Sequence, residues 1–227
     1  MKKVSSALVA LILAAGGVAA ASTSADAAGA VSASAAYWAA ADSRPAVQAL
    51  SSTAKTKLQS EIDQQLATTR GGVQISANEV SYNGGDPIVA LPLPGAAIAP
   101  ASSPAALKQR GATPAQIQEV LQSGDSLAVD CHNCHAGASD NRWYCFYEHA
   151  DFGGKRLQWN YEHCSAPVYF SGYGFENQTS GWVNTGALKV DAYDGGAAGL
   201  WRELPSSMAS YVGDSTNDRA AFFYACE

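Results

Sequence analysis

The sequence predicts a mainly β protein whose C-terminal end is an antiparallel sandwich, and three observations predict it. Of the 21 aromatic residues, 18 fall between Trp143 and Glu227, with only Tyr37, Trp38 and Tyr82 before them. A large β core can therefore be built only in the last 85 residues. The stretch Trp143 to Gly154 reads W-Y-C-F-Y-E-H-A-D-F-G-G, an aromatic strand that turns and ends in a glycine pair. Finally, the C-terminal region repeats itself loosely. Tyr147…Gly154-Lys155-Arg156-Leu157 is echoed by Ala192-Tyr193…Gly199-Leu200-Trp201-Arg202, and Glu176–Trp182 by Asn217–Phe222. Two such units imply two intercalated Greek keys, a sandwich of about eight strands.

The first hairpin carries the most information. Tyr147, Phe152 and Gly154 stand at spacings of five and two. In a folded hairpin Phe152 then lies back over the Tyr147 ring, and Gly154 takes a backbone conformation closed to residues with a Cβ. Lys155-Arg156-Leu157-Gln158-Trp159 alternates polar and apolar as the return strand should. In the second unit the glycine lies six residues after Tyr193, and Ala198 stands where the aromatic belongs. The second hairpin thus departs from the signature of the first.

Ahead of this domain the chain changes character several times. Met1-Lys2-Lys3, the apolar run Val4–Ala21 and the Ala25-Asp26-Ala27 cleavage pattern read as a secretory signal peptide over residues 1–27. The expected product is exported, with no membrane span after cleavage. Residues 28–45 are Ala/Ser-rich and expected to be disordered. Over residues 46–94, Val47, Leu50, Ala54, Leu58, Ile62 and Leu66 recur at helical spacing, and apolar runs then flank Asn83-Gly84-Gly85. This is a helix plus a β-hairpin. So short a segment without a disulfide is a poor core by itself. Residues 95–130, with Pro100, Pro104 and Pro114, read as a flexible linker carrying one transient helix. The domain proper is residues 131–227. From residue 143 onward 10 acidic residues face 5 basic ones, so nucleic acid is an unsuitable partner.

Cys131-His132-Asn133-Cys134-His135 matches the Cys-x-x-Cys-His pattern of c-type haem attachment. Both cysteines would form thioethers and His135 would ligate the iron, with His149, His163 or Met208 opposite. Such a haem also needs a helical wrap, and here the motif sits between a linker and a β domain, so none is expected. A zinc or copper site on Cys131, Cys134 and His135 lacks context in the same way. Disulfide chemistry in an oxidising compartment is the plainer reading of the five cysteines, which cannot all pair with one another. No catalytic motif is present, and Glu148, His149 and Asp151 read as solvated turn residues, so no enzyme is expected.

Tyr-x-x-x-x-Phe-x-Gly resembles the hairpin signature of βγ-crystallin Greek-key motifs. Cys-Phe-Tyr-Glu-His-Ala-Asp-Phe-Gly-Gly followed by Leu157-Gln158-Trp159 is similar to secreted actinobacterial proteins grouped with the streptomycete metalloprotease inhibitor. The resemblance covers residues 131–227 and implies a βγ-crystallin-like double Greek-key sandwich. By resemblance Cys145 is the family's second cysteine and Cys134 its first, at a longer spacing. That implies Cys134–Cys145 and Cys164–Cys226, with Cys131–Cys134 plus Cys145–Cys164 as the rival pairing. Microbial members bind calcium through Asn/Asp-Asn/Asp-x-x-Ser/Thr-Ser. Here the first copy keeps Asn177 and Ser180, and the second keeps Asn217 and Asp218 but has Ala221 in place of the hydroxyl. Two altered copies imply weak calcium binding or none.

The function implied is that of a secreted, monomeric, non-catalytic inhibitor of an extracellular protease. No inhibitory loop carries over, because only Cys226 follows Cys164, and no reactive bond is named. The alternatives are an exported structural or stress-related crystallin-like protein and, third, a haem or redox protein.

Overall fold

The computed structural model describes residues 34–123, 131–135 and 142–227. The expected signal peptide lies outside the described residues, and no described helix is long and apolar enough to cross a membrane. The described residues form a mainly β structure of two sheets. In chain order the strands are β1 (Val73–Gln74), β2 (Glu79–Ser81), β3 (Ile88–Ala90), β4 (Tyr144–His149), β5 (Gly153–Trp159) and β6 (His163–Tyr169). They continue with β7 (Gly181–Asn184), β8 (Lys189–Tyr193), β9 (Gly199–Glu203), β10 (Ser207–Ala209) and β11 (Phe222–Cys226).

One sheet runs β1-β2-β3-β5-β4-β7-β10 and the other β6-β11-β8-β9, every strand pairing being antiparallel. Strands β4–β7 form the first unit and β8–β11 the second. Each unit keeps its first, second and fourth strands in its own sheet and sends its third to the edge of the other. This exchange is the intercalated double Greek key that the internal repeat predicts. Between the sheets Phe146, Trp159, Phe170 and Phe223 are fully buried. Their rings meet at centroid separations from 4.8 Å (Phe146–Phe170) to 6.1 Å (Trp159–Phe170), the range of favourable edge-on and tilted pairs.

The N-terminal segment does not stand apart from this sandwich. Strand β3 pairs with β5 through Ile88↔Gln158, Val89↔Leu157 and Ala90↔Arg156, so the hairpin covers what would be an open edge of the Greek-key sheet. Val80, Tyr82, Val89 and Leu91 share one buried cluster with Tyr144, Phe146 and Leu157. The helical run expected through Val47, Leu50, Ala54, Leu58, Ile62 and Leu66 is broken in two: α2 (Pro45–Gln48) and α3 (Ser52–Thr68). Ser51 restarts the helix, its hydroxyl accepting from the Ala54 amide at 3.2 Å as an N-cap. Leu58 and Ile62 of α3 then close the sheet from one side.

Two expectations are corrected here. Within the stretch read as disordered to residue 45, residues 34–41 form helix α1, with Ala35 and Ala39 buried, and Asp42 and Arg44 are also buried. Within the stretch read as linker, residues 97–110 run across the sheet as a bonded strap. Arg156 donates to the carbonyls of Ala99 and Pro100, each at 3.0 Å, and Arg44 to that of Ala101 at 2.7 Å. Gln158 donates to the Ser102 hydroxyl at 3.0 Å, and Glu79 accepts from the Ser103 amide at 3.1 Å. Ser103 then caps α4 (Pro104–Gln109), and α5 (Pro114–Ser123) follows. Proline, alanine and serine here form an extended ribbon whose carbonyls meet buried arginines, so the composition of a linker conceals a packed segment. Residues 124–130 lie outside the described residues.

Candidate functional site

At the first hairpin the predicted corner is present. Tyr147 is fully buried and Phe152 nearly so, their rings edge-to-face at 5.4 Å. Gly154 has φ +71°, and a Cβ there would come within 2.7 Å of the Glu148 Cβ. Asp151 (φ 55°) and Phe152 (φ 61°) share the left-handed region without the freedom of glycine. What holds them is overhead: His132 stacks on Phe152 at 3.6 Å, and the Tyr147 hydroxyl donates to the His132 carbonyl at 2.8 Å.

The segment 131–135 is thus a lid on the hairpin, fixed by a disulfide from Cys134 to Cys145. A second disulfide joins Cys164 to Cys226, and Cys131 is in neither. The rival pairing is not the one formed. A c-type haem needs thioethers from both cysteines of its motif, and the Cys134 sulfur is bonded to Cys145. His135 packs against Trp143 at 5.0 Å, and burial, with the nearby Arg110 charge, lowers its pKa to about 4.

The second corner uses a carboxylate where the first uses an aromatic. Asp194 accepts the amides of Gly196 and Ala198, each at 2.9 Å, and pairs with Arg219 at 2.9 Å. The Ala198 amide leads the causes that lower its pKa.

The two calcium-motif copies come together as crossed loops. The Asn177 amide donates to the Ala220 carbonyl at 2.9 Å and the Asp218 amide to the Thr179 carbonyl at 3.2 Å. Both residues have positive φ, 56° and 54°. The Ser180 hydroxyl is already committed to the Glu148 carbonyl at 2.9 Å, and Ala221 offers none. Asn217 Oδ1 and Thr179 Oγ1 are buried without a hydrogen-bond partner. Calcium takes six to eight oxygens, so these loops present a depleted set.

A feature that includes only Cys164 of the predicted residues lies on β6. Phe223 pairs with Val168 and Ala225 with His163, so Cys164, Ser165, Ala166 and Pro167 together face Tyr224 alone. These residues bulge from the sheet edge, with Cys164, Ser165 and Ala166 exposed. The bulge is held at its base by the Cys164–Cys226 disulfide. The loop before it is held by Tyr144, whose hydroxyl donates to the Tyr161 carbonyl at 3.2 Å, and by His163, 2.8 Å from Asp86. The sequence signal was Pro167, because proline within a strand belongs at an edge or a bulge. A separate cleft of about 390 Å³ lies between α3 and the first hairpin. Of its lining groups, Lys155 donates to Gln178 at 2.9 Å, and Gln65 donates to the Tyr173 carbonyl at 2.7 Å.

One buried carboxyl gives the molecule a pH signature. Glu203 is fully buried, and one oxygen accepts from the Trp201 indole at 3.1 Å while the other has no partner. Burial pushes its pKa well above the ordinary 4.5. The folded state therefore binds its proton more tightly than the unfolded chain. The stability this supplies is complete below pH 4.5 and is lost as pH rises through the raised value. Glu203→Gln is expected to remove that decline. Melting temperatures across pH for both proteins check it, and parallel curves would refute it.

No family model matches this chain, and no curated relative matches it. Several solved structures do. One is a βγ-crystallin-fold domain studied for the evolution of the eye-lens fold: 19% identity, 40% of this chain, 91% of that one, TM-score 0.33. A βγ-crystallin domain from Clostridium beijerinckii matches at 16% identity over 37% of this chain and 95% of its own, TM-score 0.29. Spherulin 3A from Physarum polycephalum matches at 16% identity over 40% and 89%, TM-score 0.32.

Proposed function

We propose that this is an exported, non-catalytic binding protein that presents the Cys164–Pro167 bulge to the active cleft of an extracellular protease. The observation that carries the reading is the bulge itself: exposed, extended backbone at a sheet edge, tethered by a disulfide. Protein clefts bind extended segments through main-chain hydrogen bonds. A segment already held in that form loses little entropy on binding. Two disulfides suit an oxidising compartment.

The test is residual activity of thermolysin-like and subtilisin-like proteases incubated with the purified protein. Inhibition is expected, and replacing Ser165 and Ala166 together with aspartates should weaken it at least about tenfold, or 1.4 kcal/mol. If neither protease is inhibited, the reading fails. Inhibition untouched by the double substitution would place the contact elsewhere. The second reading, an exported structural crystallin-like protein, is supported by the exchange of strands between the two sheets.

A further inference from the structure

The cleft of about 390 Å³ between α3 and the first hairpin is lined mostly by hydrogen-bonding side chains. Glu61, Gln64 and Gln65 stand at i, i+3 and i+4 on α3, so one helix face supplies one side of it. Glu148 and Lys155 of the hairpin supply the other, and Leu91 and Pro92 add a short apolar stretch. Gln65 is only 7% exposed, and its amide nitrogen donates to the Tyr82 hydroxyl at 3.0 Å and to the Tyr173 carbonyl at 2.7 Å. Those two bonds fix the amide and leave its Oε1 without a donor among the described residues. Gly174 also lines the cleft, and a Cβ there would sit 3.6 Å from this oxygen and cover it. Both carboxylates already have a cation: Glu148 lies 3.6 Å from the Lys155 ammonium and Glu61 3.9 Å from that of Lys57. Lys155 is further engaged by Gln178 at 2.9 Å and the Gly174 carbonyl at 3.3 Å. The lining is therefore close to neutral and rich in acceptors.

We propose that this cleft binds a neutral polyhydroxylated molecule of the saccharide class. Its hydroxyls donate to Gln65 Oε1 and to the two carboxylates, and accept from the Gln64 amide. An alcohol both donates and accepts, which matches a lining that mixes carboxylates with amides. The C–H faces of a sugar ring suit Leu91 and Pro92. A cationic ligand would meet carboxylates that Lys57 and Lys155 already neutralise, and an anion would meet an ammonium whose bonds are taken. A wholly apolar ligand would bury the acceptors without donors, which is costly. The volume lies in the range of small-molecule sites, roughly 300–1,000 Å³.

The site is separate from the β6 bulge, which belongs to the other sheet, so the outcome is independent of protease inhibition. The test is an NMR titration of the isotope-labelled full chain with maltose, cellobiose, lactose and N,N′-diacetylchitobiose, with putrescine as the cationic comparison. Saturable shifts of the Gln64 and Gln65 side-chain amides and of the Gly174 backbone amide are expected with at least one disaccharide. Glu61→Ala combined with Gln64→Ala should weaken that binding at least about tenfold. Ser60→Ala, exposed on α3 and outside the cleft, should leave it unchanged. Melting curves of the variants should match the parent, since these side chains reach the surface. If no disaccharide shifts these resonances up to ~10 mM, the proposal is overturned. It is overturned equally by binding indifferent to the double substitution, or by putrescine occupying the cleft in preference to every sugar.

Discussion

Arg44→Ala is expected to cost about 3–5 kcal/mol, the loss seen when one partner of a buried ion pair is removed. Arg44 bonds Asp42 at 2.9 and 2.6 Å, donates to Asn78, and reaches the Ala101 carbonyl at 2.7 Å. Asp42, Asn78 and Glu79 are all buried. Burial works against the Arg44 charge, but Glu79 and Asp42 outweigh it and raise its pKa. Without the guanidinium, Asp42 remains as a buried carboxylate lacking its main donor, and the strap loses its hold at Ala101. Arg44→Lys should rescue little, because one ammonium cannot reproduce the two-pronged contact. The measurement is the urea midpoint at low and high salt. A buried pair is screened little, so the loss should persist in salt. A change below about 1 kcal/mol, the scale of a surface substitution, would refute the network.

That network also shows why part of the molecule was hidden in its sequence. The double Greek key was legible because its signals are local: an aromatic, a turn and a glycine in the first hairpin, echoed loosely in the second. The Tyr147–Phe152–Gly154 corner needs no knowledge of the remaining chain. The strap at residues 97–110 was not legible, because its order comes from Arg44, Arg156 and Glu79, each far away in sequence. Pro100 and Pro104 read only as marks of a flexible linker, and Pro104 in fact opens helix α4. The second corner could be seen to lack an aromatic, yet Asp194 as its replacement depends on Arg219, 25 residues on. The β6 bulge had one visible marker in Pro167. Its exposure depended on how β11 pairs, which no short spacing records. The repeat marked out the two loops of Asn177 and Asp218, but their meeting comes from backbone pairing between them, which the sequence reading did not contain.

Tyr147→Ala is expected to lower stability by about 3–5 kcal/mol, as for truncation of a buried aromatic. The ring is fully buried within a cluster of Cys134, Cys145, Phe152 and Val183. Its loss opens a cavity beneath the lid and removes the edge-on contact with Phe152. It also releases the hydroxyl bond to His132, the residue that stacks over Phe152. Asp151 and Phe152 sit at positive φ, a conformation costing of order 1–3 kcal/mol per residue. The turn keeps it only while the surrounding packing insists. Tyr147→Phe separates the contributions: it keeps the ring and loses one hydrogen bond, so about 1 kcal/mol is expected. Hydrogen exchange gives a local readout. The Gly154 amide, bonded to the Ala97 carbonyl at 2.8 Å, should exchange faster in the alanine variant than in the phenylalanine variant. If alanine and phenylalanine cost the same, the hydroxyl rather than the ring holds the corner. If both cost under about 1 kcal/mol, the hairpin is held by the Cys134–Cys145 disulfide and the β4–β5 ladder, and the aromatic corner is incidental to it.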